Sequence, residues 1–171
     1  MKNSRTMFVV TSALIAAIYA GFTYFSAIWG LAYGPVQFRI SEALTILPIL
    51  TPAAVPGLIV GCFIGNLGSP YGIVDILCGT LATALAAAFT WMLRNIRIKN
   101  IPFLAPLAPV LFNALIVCAE ITFFLPGGAR LTGFLVSASW VALGEMIVCY
   151  GLGLPLGLAL EKKNVFRMPN L

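Results

Sequence analysis

Apolar residues run along this chain in long stretches, and polar residues collect in the short breaks between them. The stretches are too long for strands, so each reads as a helix. Turn residues mark the boundaries. A first helix is predicted over 6–25 and a second over 35–50. Thr51 and Pro52 then read as N-cap and first residue of a third helix, 52–67, since Thr can accept an orphan N–H and Pro has none to lose. Ser69 and Pro70 repeat that signature before a fourth helix over 71–93. Pro102 opens a fifth, 103–125, which Pro126, Gly127 and Gly128 stop, and a sixth covers 131–160. At about 1.5 Å per residue the second and third barely cross a hydrocarbon layer of about 30 Å. Pro48 and Pro56 are expected to kink them.

Composition fixes the class. Hydrophobic residues make up 61% of the 171 and charged residues 9%. Soluble domains carry about 25% charged residues, so this chain has too few to coat a surface facing water. The expected fold is an all-α integral membrane protein, a single domain over 1–171 with six transmembrane helices. The apolar stretch 7–25 is too long for the core of a usual signal peptide, and it reads as a retained span.

Several chemistries are excluded or disfavoured. There is no histidine, so no imidazole can act as base or metal ligand. Cys62, Cys78, Cys118 and Cys149 lie singly within apolar runs, which suits small buried hydrophobes better than a disulfide framework or a zinc site. No segment matches the GxxxxGK[ST] phosphate loop. Any ATP-driven step would therefore need another subunit. No metal, no cofactor and no nucleic-acid partner is expected.

Basic residues set the orientation. Lys2 and Arg5, then Arg94, Arg97 and Lys99, then Lys162, Lys163 and Arg167 form three clusters, and the positive-inside rule places all three in the cytoplasm. Four spans before Arg94 and two after Lys99 satisfy that placement, with both termini inside. Apart from Glu161 beside the last cluster, the remaining charges are Arg39, Glu42, Asp75, Glu120, Arg130 and Glu145. A charge within a span costs at least about 2.5–3.5 kcal/mol, so each needs a reason to be there. The topology brings most of them near the outer face, with Glu145 deeper, as a pocket open to the exterior would require. Four acids against two bases suit a ligand rich in N–H donors or positively charged, not a phosphate or an acid.

Neutral partners accompany them. Asn66 ends the third helix, and Asn113 shares a face of the fifth with Glu120. Trp29, Tyr33 and Tyr71 flank the outer loops, and Trp140 lies on the sixth helix. Carboxylates and amides on a flat base edge, with an aromatic ring against its face, are a common way to hold a nucleobase. Each feature has a plainer reading. Arg39 and Glu42 could pair with each other, the aromatic residues could form an interfacial belt, and Asn113 could bond between helices. Ala13, Ala17 and Gly21 form a ridge of small residues on the first helix, with Ala16 and Ala20 on an overlapping one. Either could let another helix approach closely, inside the bundle or from outside it.

The run YGPVQFRISEALTILPILTPAAVPGLIVGCFIGNL, continuing as GSPYGIVDILCGTLAT, resembles the queuosine-precursor, QueT-type substrate-binding S subunits of energy-coupling-factor transporters. The resemblance is carried by FRISEAL with Arg39 and Glu42, by Gly65 and Asn66, and by Asp75, Gly79, Thr80 and Thr83. It implies a subunit that captures queuine, queuosine or a related 7-deazaguanine precursor from outside. A transmembrane T subunit and two ATPase subunits would drive uptake, and Ala13 and Ala17 would dock on the T subunit. Substrate contacts are then expected from Trp29, Arg39, Glu42, Asn66, Tyr71, Asp75, Asn113, Glu120, Trp140 and Glu145. A stand-alone carrier or channel is the competing reading. An intramembrane lipid enzyme is disfavoured, because the acids are spread over four helices with no DxxD-like pair.

Overall fold

The computed structural model describes residues 2–33, 38–123 and 131–166. Arg130, Pro35 and the stop at Pro126, Gly127 and Gly128 lie outside the described residues. Every long element is helical. In chain order they are α1 (Lys2–Ile28), a 3₁₀ segment (Ile40–Ile49), α2 (Ala54–Asn66), α3 (Ile73–Met92), α4 (Leu107–Phe123), α5 (Leu131–Val148), a π-helical turn (Cys149–Gly153) and α6 (Leu154–Lys162). Among the described residues three stretches are long and apolar enough to cross a membrane: Ser4–Ile28, Ile73–Asn95 and Gly133–Lys162. Large apolar side chains such as Val10, Leu14, Leu77, Leu111 and Ile147 face outward. Hydrocarbon accepts such a surface and water does not, so the chain is a multi-pass membrane protein.

The predicted α-helix over 35–50 is corrected. Its described part is a 3₁₀ helix of 10 residues, about 20 Å long at about 2.0 Å per residue. Pro48 has no N–H to give an α-helical ladder, and the Thr45 hydroxyl donates to the Glu42 carbonyl at 2.6 Å. Residues 41–49 are all buried, so packing on every side holds a form that is rarely this long. The segment touches α1, α2, α3, α5, the π turn and α6, and the other elements are arranged around it.

The remaining boundaries shift for local reasons. The Thr51 hydroxyl accepts from the Ala53 N–H at 3.4 Å, but this bond closes the preceding turn and does not cap the helix: the N-cap is Ala53, without a side-chain cap, and α2 starts at Ala54, two residues after the expected Pro52. Ser69 likewise accepts from Tyr71 N–H at 3.2 Å, but Gly72 at φ +68° breaks the chain there and α3 starts at Ile73. Turns carry the chain past Pro102 until Leu107, so α4 starts later than 103. The sixth predicted helix is continuous but widened at Cys149–Gly153, just before Pro155. A proline inside a helix removes one ladder hydrogen bond and crowds the carbonyl four residues back, and a π turn is one way to absorb that.

Gly57, Gly61 and Gly65 line the face of α2 against α1. A Cβ on Gly61 would sit 2.8 Å from Tyr19 Cβ and 2.9 Å from the Ala16 carbonyl. The two backbones therefore meet directly. Ile15, Tyr19, Leu44, Ile46, Leu47, Leu58 and Cys62 form the core beside that contact. At one end of the bundle, Arg97 makes a two-pronged ion pair with Glu161, at 2.6 and 3.1 Å, tying the α3–α4 connection to α6. Those hydrogen bonds raise the pKa of Arg97 above its ordinary value.

Candidate functional site

Five buried charged side chains meet in the bundle interior: Arg39, Glu42, Asp75, Glu120 and Glu145. They come from the 3₁₀ segment and its N-terminal flank, α3, α4 and α5. Two linked groups can be distinguished.

The first is built around Arg39. Its backbone is extended, at φ −83° and ψ 108°, so its side chain turns away from the 3₁₀ helix that follows. Nε donates to the Ala32 carbonyl at 2.6 Å and Nη1 to Asn66 Oδ1 at 3.2 Å. Nη2 lies 3.9 Å from Asp75 Oδ1, and the guanidinium stands 5.3 Å from the ring centroid of Tyr33. Asn66 fixes the geometry from α2, donating to the Asp75 carbonyl at 3.2 Å. Gly79 leaves room for that amide, because a Cβ there would collide with Asn66 Nδ2. Glu120 approaches from α4 and interacts with Asp75.

The second group centres on Glu42. The Tyr19 hydroxyl donates to Glu42 Oε1. Cys149 Sγ lies 3.5 Å from Glu145 Oε2 and 3.6 Å from the Glu42 carbonyl. Asn113 interacts with both the Glu42 and the Glu145 carboxyls. Arg39 and Glu42 do not pair with each other, since Arg39 engages Asp75 and Glu42 engages Tyr19.

Interior polar atoms are normally hydrogen-bonded. Here Arg39 Nη2, Glu42 Oε2, Asp75 Oδ2, Thr80 Oγ1 and both Glu120 oxygens are buried without a hydrogen-bond partner among the described residues. Glu42, Asp75 and Glu120 are each 1% exposed. Leaving one such atom unpaired costs about 1–3 kcal/mol, and more where it is charged. So many in one region give the interior an acceptor-rich, largely acidic surface with one guanidinium on its edge.

Of the residues expected at the site, the structure brings together Arg39, Glu42, Asn66, Asp75, Asn113, Glu120 and Glu145. It does not bring the tryptophans: Trp29 is 69% exposed and Trp140 53% exposed, on the outer surface. Tyr71 is half-buried in the turn before α3, and among the described residues no hydrogen bond ties its side chain to the cluster. The aromatic rings near the charges are Tyr19 and Tyr33. Tyr19 was not expected there. Its signal was a polar stripe on the first helix, Tyr19, Thr23 and Ser26, spaced to share one face. The structure turns that stripe toward Glu42, Ser41 and the Ile40 N–H.

A family model described as QueT transporter matches residues 9–162. The "Queuosine precursor transporter QueT" of Lactococcus lactis subsp. cremoris (strain MG1363) is 36% identical over 83 residues, which is 48% of this chain and 48% of that protein. The chain thus aligns with about half the length of that curated relative. No solved structure matches. On the breadth of the family match, the chain belongs to the QueT transporter family.

Proposed function

We propose that this member of the QueT transporter family is the substrate-binding S subunit of an energy-coupling-factor importer. Its ligand is queuine, queuosine or a related 7-deazaguanine precursor. The carrying observation is the buried set of unpartnered polar atoms, five of them acceptor oxygens or a hydroxyl beside one guanidinium N–H. A guanine-like edge presents N–H donors and one carbonyl, which is the complement of that set. Asp75 and Glu120 accept from the ring N–H groups, and Asn66 holds Asp75 in place. Arg39 Nη2 is the donor available to the carbonyl.

Six membrane crossings with both termini in the cytoplasm suit the basic clusters, the shorter helices counting as crossings beside the three long ones. With no phosphate loop in the sequence, the power stroke falls to a T subunit and two ATPase subunits. Ala13 and Ala17 on the outer face of α1 are the docking ridge.

The test is mass analysis of small molecules that co-purify with the full chain, followed by titration calorimetry with the compound found. A 7-deazaguanine bound in stoichiometric amount supports the reading. A bound ligand of another class overturns it. Uptake by cells lacking every coupling subunit would show a stand-alone carrier instead.

A further inference from the structure

The α3–α4 connection holds a small hairpin that plays no part in the interior site. Ile98 and Ile101 exchange both backbone hydrogen bonds, at 2.9 and 3.0 Å, and close a two-residue turn on Lys99 and Asn100. Both turn residues have positive φ, 51° and 65°. Such a turn favours Asn and Gly, and a lysine in it costs conformational energy. Residues opposite each other in an antiparallel pair share a face, as do residues two apart on an extended strand. Ile98 and Ile101 therefore point the same way, and Ile96, whose backbone is extended, joins them. Arg97 points the other way, back to Glu161 on α6. That turns the three isoleucines away from the bundle, and all three are exposed. Basic groups lie close by. Lys99 at the tip and Lys162 and Lys163 beside Glu161 are exposed, and among the described residues none of them pairs with an acid. The apolar stretch Ile73–Asn95 ends at this hairpin, and Arg94 stacks on Trp91 at 3.8 Å, the pairing of aromatic ring and cation expected at headgroup level.

We propose that the 96–101 hairpin is an anchor for anionic phospholipid. Ile96, Ile98 and Ile101 enter the boundary between headgroups and acyl chains, and Lys99, Lys162 and Lys163 meet the phosphates. The occupant follows from two features together. The isoleucine face begins where the membrane-crossing stretch ends, so it lies at the lipid surface. The unpaired cations around it complement a negative headgroup layer, whereas zwitterionic lipid would cover the isoleucines and leave the excess charge uncompensated. The cost of a lysine at a positive φ is offset by its position at the tip, where its ammonium reaches furthest from the bundle. The anchor is separate from the interior cluster and does not depend on which molecule is carried.

The experiment is amide hydrogen exchange on the full chain in nanodiscs made of phosphatidylglycerol or of phosphatidylcholine. Backbone amides of the hairpin are expected to exchange at least about tenfold more slowly in phosphatidylglycerol, since each basic residue at such a surface contributes a factor of about five. Added salt is expected to shrink that difference. Lys99→Asn removes the charge and gives the turn a residue it favours. Its thermal stability is expected to hold or rise while the difference between the lipids falls about fivefold, so the loss cannot be put down to misfolding. Ile98→Thr keeps the branched shape and is expected to speed exchange in both lipids. Equal exchange of the unaltered hairpin in the two lipids overturns the proposal, as does an undiminished difference in Lys99→Asn. Unchanged exchange in Ile98→Thr overturns the insertion of the isoleucine face. Protection that appears only when the proposed coupling subunits are added also overturns it, because the hairpin would then be a protein contact.

Discussion

At the residue scale, Arg39 does two things at once. Among the described residues it is the one buried cation, and its side chain joins three separate parts of the chain. Arg39→Ala would strand Asp75 without a counter-charge in the interior. Breaking a buried pair in this way costs about 3–5 kcal/mol, so the variant is expected to unfold at clearly lower temperature in detergent. Arg39→Lys is expected to recover only part of that loss. One ammonium cannot reach Ala32, Asn66 and Asp75 with the planar fork that a guanidinium offers. Asp75→Ala and Glu120→Ala report on the ligand instead: each is expected to weaken binding about tenfold or more, about 1.4 kcal/mol. Calorimetry on folded protein checks this, and unchanged affinity in both variants would remove them from the site. The acids and Asn66 were legible in the sequence because a charge or amide in an apolar run demands a reason. The aromatic residues were not. A tryptophan in an apolar chain suits the lipid face as well as a ligand, and only packing separates the two.

At the element scale, the 3₁₀ segment and α1 determine where Glu42 points. Tyr19, Thr23 and Ser26 on one face of α1 hold Glu42, Ser41 and the Ile40 N–H. That clamp requires α1 to lie directly against α2, where Gly61 leaves no room for a side chain. Gly61→Ala is expected to push α1 outward and destabilise the protein by about 1–3 kcal/mol. Ligand affinity is expected to fall with it, because Tyr19 and Glu42 move apart. Gly21→Ala serves as the control. A Cβ at Gly21 meets nothing within 4 Å, so stability and binding are expected to hold. Thermal unfolding of both variants decides the matter, and equal loss in the two would show that close approach at Gly61 is not what orders α1. The helices themselves were readable from Pro, Gly and the apolar runs. The 3₁₀ form of Ile40–Ile49 was not, because Pro48 by itself implies only a kink, and the burial on every side that accompanies the tighter form is visible only in the fold.

At the scale of the whole molecule, α1 presents two faces. Ala16 and Ala20 are buried, whereas Ala13 and Ala17 are exposed and Gly21 opens onto free space. Spacing alone makes both ridges close-packing surfaces, and it was the family resemblance that assigned docking to Ala13 and Ala17. The fold uses the inner ridge for α2 and leaves the outer one available. A lipid-facing helix has no need of small residues, because acyl chains fit around large ones equally well. A ridge lacking bulk serves another helix that must come close, and the proposed T subunit is such a partner. Ala13→Trp or Ala17→Trp adds bulk where nothing in this chain is displaced. Ligand affinity and thermal stability are therefore expected to stay at the level of the unaltered protein. Uptake in cells carrying the coupling subunits is expected to fall to background, because the ridge no longer seats its partner. Loss of binding together with uptake would mean that α1 transmits the damage inward through Tyr19 and Glu42. Full uptake would place the contact with the coupling subunits on another face of the bundle.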